Sequence, residues 1–140
     1  MSRNGVKFAL KKLDKGFILK YNKSEAVFRE RDIGKELSDH CNVVEFYGTF
    51  QDEDSLYFLL DYCPYGSLQD LLKHVKTLPS DLARFYAAQI VSALEFMHGK
   101  GICHRDLKPG NILIDNRYSL QLVSVDNCYR FDNFVFFLAD

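Results

Sequence analysis

The sequence lacks most of the features that would settle a class at once. It has no C-x-x-C pair: Cys41, Cys63, Cys103 and Cys128 stand far apart, each in or beside an apolar segment. That spacing speaks for reduced, buried thiols and against a disulfide framework. Charge of one sign is missing too. Lys and Arg number 18 against 19 Asp and Glu, a net charge of −1, so no global field points to nucleic acid or to a membrane surface. The longest uncharged apolar run, "FVFFLA" at 134–139, is far short of a membrane span. The start, "MSRNGVKFALKK", is too basic and too short in apolar run for a signal peptide. There is no repeat and no low-complexity tract. These absences leave a cytoplasmic location as the default, with the nucleus its neighbour.

What is present reads as globular. Across 140 residues, 47% are hydrophobic and 26% charged, enough for one domain with a core. "GVKFALKKL" alternates like a strand, with Val6, Phe8 and Leu10 on one face. A basic connection with one short helical turn follows. From Ser24 to Leu37 the period becomes helical, with Ser24 as expected N-cap and Glu25 in the first turn. Ala26, Glu30, Ile33 and Leu37 share one stripe, which puts a carboxylate among apolar neighbours. Burying it costs several kcal/mol, on the order of a lost ion pair, unless a cation meets it.

"NVVEFYGTF" and "SLYFLLDY" read as a hairpin around the polar "QDED". "CPYGS" breaks the second strand, and "LQDLLKHVK" is a short amphipathic helix. A long helix follows, apolar at Leu82, Phe85, Tyr86, Ile90, Ala93, Leu94 and Met97. Pro79 and Ser80 start it, and Gly99 or Gly101 stops it. "ICHRDLKPGNILID" reads as strand, polar loop and strand, and "SLQLVSV" as one more strand. The order implies two lobes joined near residues 63–67.

The eight residues "HRDLKPGN", 104–111, fit H-R-D-L-x-x-x-N and resemble the catalytic loop of protein kinases. Phosphoryl transfer is mostly positioning and charge neutralisation, so a base, a cation and a hard metal ligand belong together. The resemblance implies Asp106 as the base that orients the attacking hydroxyl. It implies Lys108 as the cation near the γ-phosphate and Asn111 as a ligand to Mg²⁺. His104 and Arg105 take structural roles, with Arg105 the usual partner of a phosphorylated activation loop. "L-K-P" after the Asp is similar to the serine/threonine branch.

Two further stretches carry the same likeness. "FALK", 8–11, resembles the ATP-binding strand, with Lys11 on the α- and β-phosphates, and Glu30 lies nineteen residues on as its ion-pair partner. "LLDYCPYGSL", 59–68, resembles the linker that holds adenine. Leu60 is the implied gatekeeper, the backbones of Asp61 and Cys63 the implied adenine contacts, and Ala9 and Leu113 the implied sandwich around the ring. "RERDI", "YGTFQDEDSLYFLLDY" and "RFYAAQIVSALEFMHGKGICHRDLKP" are most similar to the AGC group and, within it, to the phosphoinositide-dependent protein kinases. That group docks hydrophobic, phosphorylated motifs of other kinases in a small-lobe groove, which implies Lys15, Ile18, Leu19, Arg31, Gln51 and Leu56 here. ATP and Mg²⁺ are the implied cofactors and protein substrates the implied partners, with no nucleic acid and no transmembrane segment.

The expected fold is therefore α+β: an incomplete two-lobe kinase-like fold. It comprises a small β-rich lobe (6–62) without its Gly-rich loop and the start of a helical lobe (63–123), followed by an unrelated tail (124–140). Gly5 alone is no Gly-rich loop. Where D-F-G should begin the sequence reads Ser124, Val125, Asp126, and no A-P-E follows. Translated intron after Val123 is one hypothesis that would account for that break. Gly34 stands where the family sets a large apolar side chain, and Gly110 replaces a common Glu. The chain is expected to be inactive by itself and to expose apolar surface on the 80–98 helix. A non-catalytic, kinase-like docking module is the competing reading.

Overall fold

The computed structural model describes residues 7–123 and the backbone of residues 129–130. Expectations resting on Gly5, Val6, Ser124, Val125, Asp126 and the rest of the tail lie outside the described residues.

Three antiparallel strands form a sheet in the order β1-β3-β2: β1 is Phe8–Asp14, β2 Phe46–Gln51 and β3 Ser55–Asp61. In β1 the alternation sends Ala9, Lys11 and Leu13 inward, while Phe8 and Leu10 lie on the outer face, 40% and 55% exposed. Phe8 and Leu10 thus share a face as their spacing implies, but it is the solvent face. There the Phe8 ring meets Tyr47 edge-on at 5.0 Å.

The hairpin forms, with a shorter first strand than the apolar run suggests. Asn42–Val44 leave the sheet, with Val43 and Val44 buried elsewhere, while the Glu45 carbonyl still accepts from the Asp61 N–H. Val43 bridges Leu122 in parallel, and the Val44 N–H donates to the Leu122 carbonyl at 2.9 Å. Pattern alone cannot separate the two cases, since both are buried extended chain. The turn itself is held by Asp52, whose Oδ1 accepts from the N–H groups of Asp54 and Ser55.

The basic connection after β1 is a helix, α1 (Lys15–Lys20), capped by Asp14 accepting from the Phe17 N–H. In α2 (Ser24–Leu37) the expected cap is wrong: Ser24 is already helical, and Lys23 holds the cap position without a side-chain bond. The preceding turn explains this. Asn22 has φ 52° and the Lys23 N–H donates to the Ile18 carbonyl, so the backbone of α1 fixes the entry. The inward stripe is Val27, Glu30, Ile33, Gly34 and Leu37, with Ala26 only half-buried.

Beyond the joint lie α3 (Leu68–Val75), α4 (Ser80–Gly99), β4 (Ile102–Cys103), β5 (Ile112–Ile114), β6 (Leu120–Leu122) and β7 (Tyr129–Arg130). Ser67 and Asp70 cap α3 reciprocally, side chain to backbone in both directions. Pro79 precedes α4 as expected, and past its end Gly101 takes the left-handed turn at φ 69°. β5 pairs with β6 and β4 with β7, both antiparallel.

Two apolar clusters result. A small one, Ile18, Val27, Phe46 and Phe58, lies between the sheet and the two first helices. A larger one gathers Leu68, Tyr86, Ala93, Met97, Ile102, Ile112, Ile114, Leu120 and Leu122, and it also takes Ile33, Leu37 and Val43. The C-terminal half of α2 therefore belongs to the larger core. On α4, Phe85 and Val91 are 52% and 62% exposed, in line with the apolar surface expected there.

Candidate active site

Two lysine–carboxylate pairs organise the site, one in each lobe. Alternation in β1 turns Lys11 inward, and the period of α2 turns Glu30 inward to face it. Lys11 Nζ donates to Glu30 Oε1 at 2.6 Å, with the Glu30 side chain 5% exposed and that of Lys11 37%. The buried carboxylate has its cation, and the Lys11 side chain stays partly accessible.

The second pair sits in the loop 104–111. Lys108 Nζ lies 2.9 Å from Asp106 Oδ2 and 3.2 Å from Oδ1. Asn111 donates its amide N–H groups to the carbonyl and to Oδ2 of the same residue, both at 2.9 Å. The Lys108 ammonium, then the Asn111 amide, hold the Asp106 carboxyl below its usual range. It is a carboxylate at neutral pH, as a base must be. Because the amide nitrogen of Asn111 is turned to Asp106, its oxygen is the atom a hard cation would take.

The loop's shape comes from its first residues. Arg105 has φ 61°, a left-handed conformation that side-chain-bearing residues rarely adopt. It turns the chain so that the Asp106 N–H donates to His104 Nδ1 at 3.3 Å. His104 Nε2 then carries the proton and donates to the Val123 carbonyl at 3.0 Å. Burial pushes the imidazole below its ordinary value, which keeps this neutral tautomer. His104 thus ties the loop to the end of β6.

The residues assigned to a nucleotide line the joint. Ala9 is paired with Leu60 across β1 and β3, and Leu113 bridges Ser67. All three are half-buried, so a flat apolar ligand has side chains to cover. The Asp61 N–H donates to the Glu45 carbonyl at 3.0 Å and is not available to a ligand. The Cys63 carbonyl accepts from the Gly66 N–H at 3.4 Å. Burial, with the charges of Asp61 and Asp115, pushes the Cys63 thiol up to about 12, so it is no nucleophile. This set fits a magnesium nucleotide: an amine held in place, an amide oxygen beside a carboxylate, and half-buried apolar side chains.

All six residues assigned to a docking groove do line one depression, of about 640 Å³, between α1, α2 and the sheet. Its wall also includes Ser24, Phe28, Thr49 and Phe50, which reading the sequence missed. Phe28 could have been found, since it lies three residues before Arg31 on the same helix face. Among the described residues no cluster of His, Cys, Asp and Glu could hold a metal ion alone, and no helix is long and apolar enough to cross a membrane.

A family model for the protein kinase domain matches residues 1–130. The chain belongs to the protein kinase family. Over 115 residues this kinase chain is 50% identical to 3-phosphoinositide-dependent protein kinase B of Dictyostelium discoideum, covering 82% of itself and 13% of that protein. Human 3-phosphoinositide-dependent protein kinase 1 is 47% identical over 115 residues, covering 82% of this chain and 20% of the relative. Serine/threonine-protein kinase PKH2 of Candida albicans is 44% identical over 118 residues, covering 84% and 12%. The kinase chain therefore spans between 12% and 20% of the length of these three relatives.

Proposed function

We propose that residues 7–123 carry the nucleotide and catalytic-loop chemistry of a serine/threonine protein kinase that phosphorylates protein hydroxyl groups. The single observation behind this reading is the convergence of Lys108 and Asn111 on the Asp106 carboxylate, each at 2.9 Å. MgATP, when bound, supplies the phosphoryl group and two positive charges of the metal. Lys11, held by Glu30, binds the α- and β-phosphates, and Asn111 ligates the metal. Asp106 orients the substrate hydroxyl and accepts its proton, while Lys108 neutralises charge that develops on the transferring group. Ala9, Leu60 and Leu113 enclose the base, and the Cys63 N–H and the Asp61 carbonyl read its edge. We assign residues 6–62 to the small lobe, 63–123 to the start of the large one and 124–140 to a separate tail. The free thiols of Cys41, Cys63 and Cys103, among the described residues, support a cytoplasmic setting.

The groove lined by Lys15, Ile18, Leu19, Arg31, Gln51 and Leu56 is assigned to docking a hydrophobic, anionic peptide segment of a partner protein, including other kinases. Exposed rings at Phe28 and Phe50 and two rim cations support that occupant.

A second reading rests on Ser124 standing where the metal-binding Asp of D-F-G would be. On that reading the chain docks peptide or nucleotide without transfer. Incubation of the purified chain with MgATP and a mixed Ser/Thr peptide pool separates the two. Phosphate incorporation lost in Asp106→Asn supports the enzyme, and nucleotide binding without incorporation supports the docking module.

A further inference from the structure

The docking groove contains an oddity that its assigned role does not use. Of its two cations, Lys15 meets a neutral group: its Nζ donates to the Asp52 carbonyl at 2.6 Å. Arg31 does not. Its Nε donates to Asp32 Oδ1 at 2.8 Å, while the guanidinium carbon sits 5.1 Å over the Phe28 ring. Consecutive helical residues do not normally face one another. Here the Arg31 side chain bends sideways and lies between a ring inside the groove and a carboxylate just outside it.

Asp32 is the more exposed member, at 61% against 33% for Arg31, and it lines no part of the groove wall. Nothing about packing requires a carboxylate there. Its effect is electrostatic: it matches the charge of Arg31 and takes one of five N–H donors. An incoming anion would then use the remaining fork, against repulsion from Asp32. Lys35, on the next turn of α2, attracts Asp32 as well and does not release Arg31 from it.

We propose that Asp32 sets how strongly the groove discriminates phosphorylated from unphosphorylated peptides, by competing with the incoming anion for Arg31. This rests on the docking role proposed above. The competition is built into the helix and acts on any anion, phosphate or carboxylate. An apolar peptide without charge escapes it. The groove is thereby set to accept aromatic segments with only a modest bonus for phosphate.

The test uses the full 140-residue chain and a fluorescent synthetic peptide with two phenylalanines and one phosphoserine, beside its unphosphorylated form. Both dissociation constants are measured by anisotropy on the same sample, so any misfolded fraction cancels in their ratio. Asp32→Asn should raise the preference for the phosphorylated peptide about three-fold, the scale of a surface ion pair. Asp32→Glu should keep the wild-type ratio, and 0.5 M salt should erase the gain, where the Debye length is only about 4 Å. An unchanged ratio in Asp32→Asn, or an equal gain for both peptides, overturns the inference and leaves the docking role standing. If neither peptide binds the wild-type chain, the docking role falls, and this inference with it.

Discussion

The two lysine–carboxylate pairs have the same chemistry and opposite environments. Glu30 is buried, with its oxygen 2.6 Å from Lys11, while the Asp106 side chain is 31% exposed and accepts from both Lys108 and Asn111. The first pair can tolerate no interruption, because a buried carboxylate without its cation is costly. The second can exchange partners with solvent at little cost, which suits the role proposed for Asp106. The small lobe holds a fixed charge, and the loop offers an exchangeable one.

The largest expected effect breaks the exchangeable side. Any phosphoryl transfer the chain performs should fall about 10²- to 10⁴-fold in Asp106→Asn, with the thermal melt unchanged, as read by phosphate incorporation and calorimetry. A variant with wild-type transfer would remove Asp106 from the chemistry. Next, Lys11→Met should cost about 2 kcal/mol, below the usual figure for a fully buried pair because Lys11 is 37% exposed. Lys11→Met with Glu30→Leu should recover most of that loss, whereas Lys108→Met should leave the chemical denaturation midpoint where it was. Equal losses in Lys11→Met and Lys108→Met would erase the distinction between the pairs.

How far these pairs were legible depends on what fixed them. Asp106, Lys108 and Asn111 were singled out by the resemblance of one loop to a family signature, and the structure brings their side chains together. Lys11 came only from the resemblance of "FALK" to an ATP-binding strand, whereas Glu30 was legible from the helical period, which set it among apolar neighbours. The helix entry at Lys23 was not, since backbone bonds from α1 rather than Ser24 set it. Nor was the detachment of Val43 and Val44 from the hairpin, which is decided by Leu122 far along the chain. Tertiary partners, not local preference, chose both. The outward face of Phe8 and Leu10 has the same origin: the neighbouring side chain Lys11 had to face Glu30, and alternation did the rest.

A smaller effect probes the tie between loop and β6. Burial holds His104 below its ordinary value, so the unfolded chain takes up its proton first as pH falls. Stability is full above about pH 6.5, the unfolded value, and declines as pH drops through it toward the folded value. His104→Phe should be less stable at pH 7.5 and should lose that part of the acid slope, read from urea midpoints between pH 7.5 and 5.5. An identical slope would show that His104 does not titrate with folding. Smallest, and outside both pairs, Gly99→Ala at the end of α4 meets open space and should stabilise by about 0.5–1 kcal/mol. Its melting shift gives the scale against which the pair variants are read.

The central claim is that both pairs serve one magnesium nucleotide. Titration calorimetry of ATP against the wild-type chain, Lys11→Met and Asn111→Ala, each with and without Mg²⁺, tests it directly. The account predicts that Lys11→Met weakens binding in both conditions, while Asn111→Ala loses only the gain that Mg²⁺ confers. Wild-type affinity for MgATP in both variants would contradict it.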